Sequence, residues 1–156
     1  MYGNISSTIE GDYYNKPVTR FPGSGGAGAM AANCGKTIAI MALEKRRFCK
    51  QVDFITSIGF GDGSPDYRDQ AGVMGSGPYR VITQQALFGF DDATRRMKLL
   101  EVKPGFTPAQ IQDMIEFELI IPPDVKEMAE PTEEDLRLLR DVIDAEGYFL
   151  RRAIKK

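Results

Sequence analysis

The sequence contains no histidine, only two cysteines and no long hydrophobic run. Without histidine the chain can supply neither a histidine general base nor the usual zinc ligands, so we expect no metal site. Cys34 and Cys49 are too few for a disulfide framework, and the N-terminus lacks the pattern of a signal peptide. No apolar run approaches the roughly 18 residues that a membrane span needs. We therefore expect a protein of the reducing cytoplasm with no membrane partner.

The chain also lacks a strong charge of either sign. Its 20 basic and 22 acidic residues give a net charge of −2, which provides no reason to expect nucleic acid as a partner. With 42% hydrophobic and 27% charged residues, its 156 residues suit a single globular domain, residues 1–156. Any acid–base or nucleophilic step must use carboxylates, Cys, Ser, Lys or Tyr, or come from another chain.

Apolar segments of strand and helix length alternate along the chain, which predicts an α/β fold. The continuous apolar run at 37–43 is typical of a buried parallel strand. The polar residues 91–94 separate two apolar stretches and predict a hairpin. Further strands are predicted at 52–57 and 117–121, whereas residues 16–22 make a poor buried strand.

Helix signals occur at three places. Residues 29–33 can form one or two turns, and Thr107, Pro108 and Gln110 provide a capping residue, a first helical residue and a capping box. The segment 131–135 begins a final helix that Gly147 ends. Six glycines and two prolines in residues 59–78 predict a long irregular loop of the kind that is functional or mobile.

The glycine-rich loop at residues 21–29 (FPGSGGAGA) is the most informative segment. Four of the six residues from Gly23 to Gly28 are glycine, so backbone N–H groups can approach a ligand directly. Such loops bind phosphate or the oxygen of a reacting carbonyl. The spacing G-x-G-x-x-G also permits a dinucleotide site, although the residues before it make a poor strand. A turn that binds no ligand is a further alternative.

Two other segments carry possible chemistry. Gly35-Lys36-Thr37 looks like the end of a P-loop, but Met30 stands where glycine is required, so we reject that interpretation. The basic segment 44–48 (EKRRF) follows the predicted strand at 37–43, where cations could bind phosphate or carboxylate, or form a solvated turn. Cys34, beside the glycine loop, is a nucleophile or a small buried apolar group.

Taken in order, the segments 2–8 (YGNISST), 11–13 (GDY) and 19–27 (TRFPGSGGA) resemble the family I coenzyme A transferases, in particular the β subunit of the glutaconate CoA-transferase type. The segments 44–48, 52–57 and 81–100 continue the resemblance. It implies a CoA-transferase-like open sheet flanked by helices, incomplete without a partner chain. The 156 residues would be the C-terminal portion of such a subunit.

The resemblance implies a component of a hetero-oligomeric enzyme that moves CoA between an acyl-CoA and a carboxylic acid, and that is not active alone. The family's catalytic glutamate lies in an N-terminal β segment that this sequence lacks. The implied partners are an α-type subunit and a chain that carries this segment. No cofactor is bound permanently, and a coenzyme A thioester is the substrate.

The resemblance also implies roles for individual residues. The backbones of Gly25 and Gly26 would stabilise the oxyanion, and the implied substrate- or CoA-binding residues are Gly23, Ser24 and Ala27, together with Arg46 from the basic segment. Gly28 stands where many relatives have Asn or Asp, and Ile58 where many have Pro. Similar proteins decarboxylate or hydrolyse acyl-CoA compounds, so a decarboxylase, a hydrolase and a non-catalytic structural subunit are the alternatives.

Overall fold

The computed structural model describes residues 1–149 and has the α/β class that the sequence predicts. Its strands are β1 (Ile9–Asp12), β2 (Lys16–Arg20), β3 (Thr37–Ile40), β4 (Pro78–Ile82), β5 (Ala86–Phe90), β6 (Met97–Val102) and β7 (Lys126–Glu127). Its α-helices are α1 (Ala27–Asn33), α2 (Tyr67–Gln70), α3 (Pro108–Asp113) and α4 (Glu133–Arg137). A 3₁₀ turn at Lys45–Arg47 and a π-helical segment at Leu138–Ile143 complete the described elements.

The main sheet has the order β3-β4-β5-β6-β7. Its outer pairs, β3–β4 and β6–β7, are parallel, and its central pairs are antiparallel. The hairpin predicted around residues 91–94 joins β5 to β6 and is confirmed. The apolar stretch before it is divided into β4 and β5 by a turn in which the Thr83 hydroxyl donates to the Ala86 carbonyl at 2.8 Å.

The hydrophobic core lies between the antiparallel strands and α3. Phe88, Leu99 and Ile111 are completely buried, and the ring of Phe48 lies 5.7 Å from that of Phe88. The predicted capping box at Thr107 is present, which fixes where α3 begins and aims Ile111 at the sheet. Burial of these apolar side chains therefore holds α3 against the antiparallel strands at the centre of the fold.

The prediction of a buried strand at 37–43 is partly wrong. The strand β3 is parallel to β4 as expected, but it ends at Ile40 and lies at an edge of the sheet. Its side chains Ile38 and Ile40 are 56% and 81% exposed. Within residues 1–149 only β4 pairs with this strand. The strand is therefore apolar in sequence, but its side chains are not buried.

Two predicted strands are not formed. Residues 52–57 and 117–121 each make a single isolated bridge, Ser57 with Ile5 and Ile120 with Lys98. In the second segment the Gln112 side chain donates to the Phe117 carbonyl at 2.9 Å, so side-chain hydrogen bonds take the place of a ladder. The antiparallel hairpin of β1 and β2, whose second strand is exposed along its whole length, was not predicted.

The remaining local predictions are largely confirmed. Residues 59–78 are mostly irregular, with α2 as a single turn inside them. The last helical region starts after Thr132, which forms a capping box with Asp135, but it ends at Ile143 and not at Gly147 as predicted. None of the helices in residues 1–149 has the length and apolar content of a membrane span.

Candidate active site

The glycine-rich loop connects β2 to α1 and is tied at its start to the N-terminal segment. The Gly23 amide donates to the Ser7 carbonyl at 2.7 Å, and the Ala27 amide donates to the Ser24 carbonyl at 3.0 Å to close a turn. Gly23 and Gly25 have φ angles of 95° and 51°. These left-handed conformations strain residues with a side chain, so the loop requires glycine at both positions.

The front of the loop presents unpaired backbone donors. Within the described residues the amides of Gly25 and Gly26 have no hydrogen-bond acceptor, and Gly26 caps α1 without a side-chain hydrogen bond. A Cβ atom added at Gly23, Gly25 or Gly26 would meet nothing within 4 Å. The loop therefore offers bare N–H groups to an open side, where a ligand atom can approach.

The rear of the loop packs closely against residues 56–59. A Cβ atom at Gly28 would lie 3.1 Å from the Thr56 carbonyl oxygen and 3.2 Å from Ser24 Oγ. A side chain at Gly28 would therefore have to displace one of these neighbours. Glycine at position 28 lets α1 lie directly against the backbone of residue 56.

Threonine side chains and backbone amides join the N-terminal segment to residues 56–59, the rear wall of the loop. The Ser7 amide donates to Thr56 Oγ1 at 3.0 Å, and Thr56 Oγ1 donates to Thr8 Oγ1 at 2.9 Å. The amides of Thr56 and Ser57 both donate to the Ile5 carbonyl. Because Ser7 also accepts from the glycine loop, these bonds fix the start of the loop relative to its rear wall.

Asn4 organises the next part of the wall. Its Oδ1 accepts from the Gly59 amide at 2.9 Å and from the Gly61 amide at 3.1 Å, while its Nδ2 donates to the Gly61 carbonyl at 2.7 Å. A Cβ atom at Gly59 would lie 2.4 Å from the Gly3 carbonyl carbon. The segment 2–8 had only carried the family resemblance. In the structure it supports the site, because Asn4 and Gly3 contact the backbone of residues 59–61.

Arg68, a residue that was not predicted from the sequence to have a role, is a buried cation behind the loop. Its side chain is 9% exposed and donates to carbonyl groups of three separate segments: Ala31 and Ala32 in α1, Ile58 and Gly59 in the rear wall, and Gly75. No carboxylate forms an ion pair with Arg68 among residues 1–149. Burial lowers the pKa of its guanidinium, which nonetheless stays protonated in proteins.

Arg46 lies on the 3₁₀ turn and bonds within its own segment. Its Nε lies 2.7 Å from Glu44 Oε2, and Arg47 Nε lies 3.1 Å from the same oxygen. Hydrogen bonds from Arg47 and Arg46 lower the pKa of Glu44. In the described part of the chain no hydrogen bond or ion pair joins Arg46 to the glycine loop, so its role in substrate binding stays a prediction.

The alternatives raised by the sequence fit this geometry less well. The strands on either side of the loop and α1, β2 and β3, belong to different sheets, which excludes the parallel βαβ unit of a dinucleotide site. Cys34 and Cys49 are free thiols, and burial raises the pKa of Cys49, which disfavours the reactive thiolate. Residues 1–149 contain no cluster of three or more His, Cys, Asp or Glu side chains that could hold a metal ion.

Comparison with known proteins gives a consistent result. A family model described as coenzyme A transferase matches residues 1–113. The B-type subunit of glutaconate CoA-transferase from Acidaminococcus fermentans is 38% identical over 151 residues, which cover 96% of this chain and 55% of that protein. The B-type subunit of 3-oxoadipate CoA-transferase from Pseudomonas knackmussii is 36% identical over 139 residues, which cover 89% and 53%.

A more distant relative carries out a different reaction. A cholesterol ring-cleaving hydrolase subunit of Rhodococcus jostii is 31% identical over 102 residues, which cover 64% of this chain and 38% of that protein. Among solved structures, the crystal structure of glutaconate coenzyme A-transferase from A. fermentans matches with a TM-score of 0.85 over 96% of this chain and 56% of that chain. The chain spans about half the length of the curated transferase relatives that it matches.

Proposed function

Because this chain belongs to the coenzyme A transferase family, as its ordered motifs predicted, we propose that it is a β-type component of a hetero-oligomeric CoA-transferase. In this proposal residues 1–156 form one domain, the C-terminal portion of such a subunit. The complex moves CoA between an acyl-CoA and a carboxylic acid. An A-type subunit is the partner, because the transferase relatives are B-type subunits by name.

The unpaired amides of Gly25 and Gly26 are the observation that carries this proposal. Attack on a thioester carbonyl places negative charge on its oxygen, and fixed N–H donors stabilise that charge without reorganising. One such donor contributes about 3 kcal/mol to the transition state. In this arrangement Gly23, Ser24 and Ala27 shape the edge of the oxyanion site, and Arg46 binds an anionic group of CoA.

The attacking carboxylate comes, in this proposal, from polypeptide outside these 156 residues. In the family a glutamate attacks the acyl-CoA to give an anhydride and then a glutamyl-CoA thioester. The chain described here contributes the oxyanion donors, and the CoA thioester is a substrate rather than a bound cofactor. The free thiols Cys34 and Cys49 suit a reducing compartment, and we propose the cytoplasm as the site of action.

Replacement of one glycine in the loop tests the proposal. Gly26 has a φ angle of −78°, and a Cβ atom there meets nothing within 4 Å, so Gly26→Phe is compatible with folding. In the assembled complex we expect this variant to lower kcat/KM for CoA transfer by roughly 100-fold, because the side chain blocks the oxyanion site.

Gly35→Phe is the matched control for this experiment. Gly35 is exposed, a Cβ atom there also meets nothing within 4 Å, and it follows the opposite end of α1. We expect transfer activity close to that of the wild type. A folded, assembled Gly26→Phe complex that transfers CoA as fast as the Gly35→Phe complex would contradict the proposed role of the loop.

A hydrolase or decarboxylase is the second candidate, and the 31% identity to the ring-cleaving hydrolase subunit favours the hydrolase. Incubation of the whole complex with an acyl-CoA and a free carboxylic acid separates the two reactions. Formation of the CoA ester of the added acid and of a glutamyl-CoA adduct supports transfer, whereas consumption of the acyl-CoA without either of these products supports the second candidate. Loss of turnover in Gly26→Phe would exclude a purely structural subunit.

A further inference from the structure

We propose that Arg68 is the positioning residue that holds α1, and with it the amides of the glycine loop, against the rear wall at residues 56–59. This inference rests on the proposed function, because it assigns Arg68 a part in the geometry of the oxyanion site. Arg68 does not itself contact the open side of the loop. It acts through the backbone carbonyls that it binds.

The guanidinium joins three segments that are distant in sequence. Nη2 donates to the carbonyls of α1, Nη1 to those of the rear wall, and Nε to a carbonyl of the loop at 59–78. The distances are 3.0 Å to Ala31, 3.4 Å to Ala32, 2.9 Å to Gly59, 3.3 Å to Ile58 and 2.9 Å to Gly75. One side chain therefore sets the spacing between α1 and the wall behind it.

Only arginine has the donor geometry for this arrangement. Its guanidinium carries five N–H donors in a rigid planar fork, whereas lysine has a single ammonium group at the end of a flexible stem. The carbonyls of Ala31 and Ala32 lie in the last turn of α1, where the helix itself leaves acceptors unsatisfied. A lysine at position 68 cannot reach the carbonyls on both sides at once.

Gly75 packs closely against the C-terminal end of α1. Its amide donates to the Ala32 carbonyl at 2.7 Å, and a Cβ atom at Gly75 would lie 2.4 Å from the Cys34 carbonyl oxygen. The other end of α1, at Gly25 and Gly26, is open. Since seven helical residues span only about 10 Å, a shift at the enclosed end moves the unpaired amides directly.

The test compares Arg68→Lys and Arg68→Met with Arg96→Lys in the assembled complex. Arg96 is a suitable control because it is also partly buried and donates to a carbonyl, that of Glu118, on the sheet side of the molecule. Two readouts are used: the steady-state kinetics of CoA transfer, and amide hydrogen exchange of residues 27–34 in the folded complex.

We expect Arg68→Lys to lower kcat ten- to roughly 100-fold with a much smaller change in KM, because the oxyanion donors are misplaced while the substrate still binds. Exchange in residues 27–34 should rise at least about tenfold, since the α1 carbonyls lose their partners. Arg96→Lys should leave both readouts near the wild-type values. If Arg68→Met fails to fold, Arg68→Lys alone provides the test.

The two readouts separate this inference from the proposed function. Wild-type exchange and wild-type kcat in a folded Arg68→Lys complex would overturn the positioning role. Equal effects of Arg68→Lys and Arg96→Lys would overturn it as well, because they would reflect general destabilisation. Raised exchange in residues 27–34, in a complex whose wild type transfers no CoA, would support the positioning role and overturn the proposed function.

Discussion

The sheet region formed by β4–β6 and α3 and the loop region formed by the glycine-rich loop and α1 are stabilised in different ways. In the sheet region large side chains such as Phe88, Leu99 and Ile111 are completely buried. In α1 the only buried residue is Ala31, and the helix is held by hydrogen bonds to its backbone from Arg68 and Gly75. The comparison teaches that the candidate site depends on polar contacts and bare backbone, whereas the hydrophobic core lies elsewhere.

The largest expected effect concerns the sheet region. Phe88→Ala removes a completely buried ring from the core and should lower the free energy of unfolding by about 3–5 kcal/mol. Urea unfolding of variant and wild type under the same conditions measures this. Phe149→Ala, at a ring that is 78% exposed, is the control and should change little. Similar decreases in the free energy of unfolding for the two variants would contradict the idea that buried side chains stabilise the sheet region.

An intermediate effect is expected in the loop region. Asn4→Ala removes the acceptor of the Gly59 and Gly61 amides and the donor to the Gly61 carbonyl. Because partly buried polar groups lose their partners, the free energy of unfolding should fall by about 1–3 kcal/mol. Asn15→Ala is the control, since among residues 1–149 its side chain bonds only to the exposed Asp12. A loss as small as that of the control would show that the rear wall does not need Asn4.

The smallest effect is expected at the exposed start of α4, which belongs to neither region. Hydrogen bonds from the Thr132 side chain and amide lower the pKa of Asp135. A carboxylate with a lowered folded-state pKa stabilises the fold above its unfolded-state pKa of roughly 4, and this stabilisation is lost as the pH falls through the folded-state value. Asp135→Asn should therefore remove this part of the acid dependence of unfolding.

The matched variant for this experiment is Thr132→Ala, which removes the two hydrogen bonds of the Thr132 hydroxyl and keeps the one that the Thr132 amide donates to Asp135. It should flatten the dependence of the unfolding free energy on acid pH in the same direction as Asp135→Asn but by less, because the amide hydrogen bond to Asp135 remains. An effect larger than that of Asn4→Ala would contradict the expectation that enclosed polar contacts stabilise the fold more than exposed ones. The three experiments thus rank core packing, enclosed hydrogen bonds and exposed caps.

Local patterns allowed much of the fold to be predicted from the sequence. The capping box at Thr107 and the hairpin before β6 depend on residues close together in the chain, and both are confirmed. The glycine spacing predicted a loop whose backbone is accessible, and the unpaired amides of Gly25 and Gly26 agree with it. These features follow from turn chemistry and glycine geometry, which act over a few residues.

The rear wall was not predictable, because its contacts join distant parts of the chain. Asn4 bonds to residues 55 and 57 positions away, and Arg68 reaches Ala31 across 37 positions. Apolar content also misled the prediction at residues 117–121, where Phe117 and Leu119 are buried without forming a strand. Burial and strand pairing are separate requirements, and an apolar run indicates only the first.

The exposed edge of β3 has a practical consequence for handling the polypeptide. Among the described strands only β4 pairs with it, so its outer main-chain groups are free beside Ile38 and Ile40. Open apolar edges of this kind recruit strands from other copies and lead to aggregation. Co-expression with the proposed A-type subunit is therefore the sound route to material that stays monodisperse during purification.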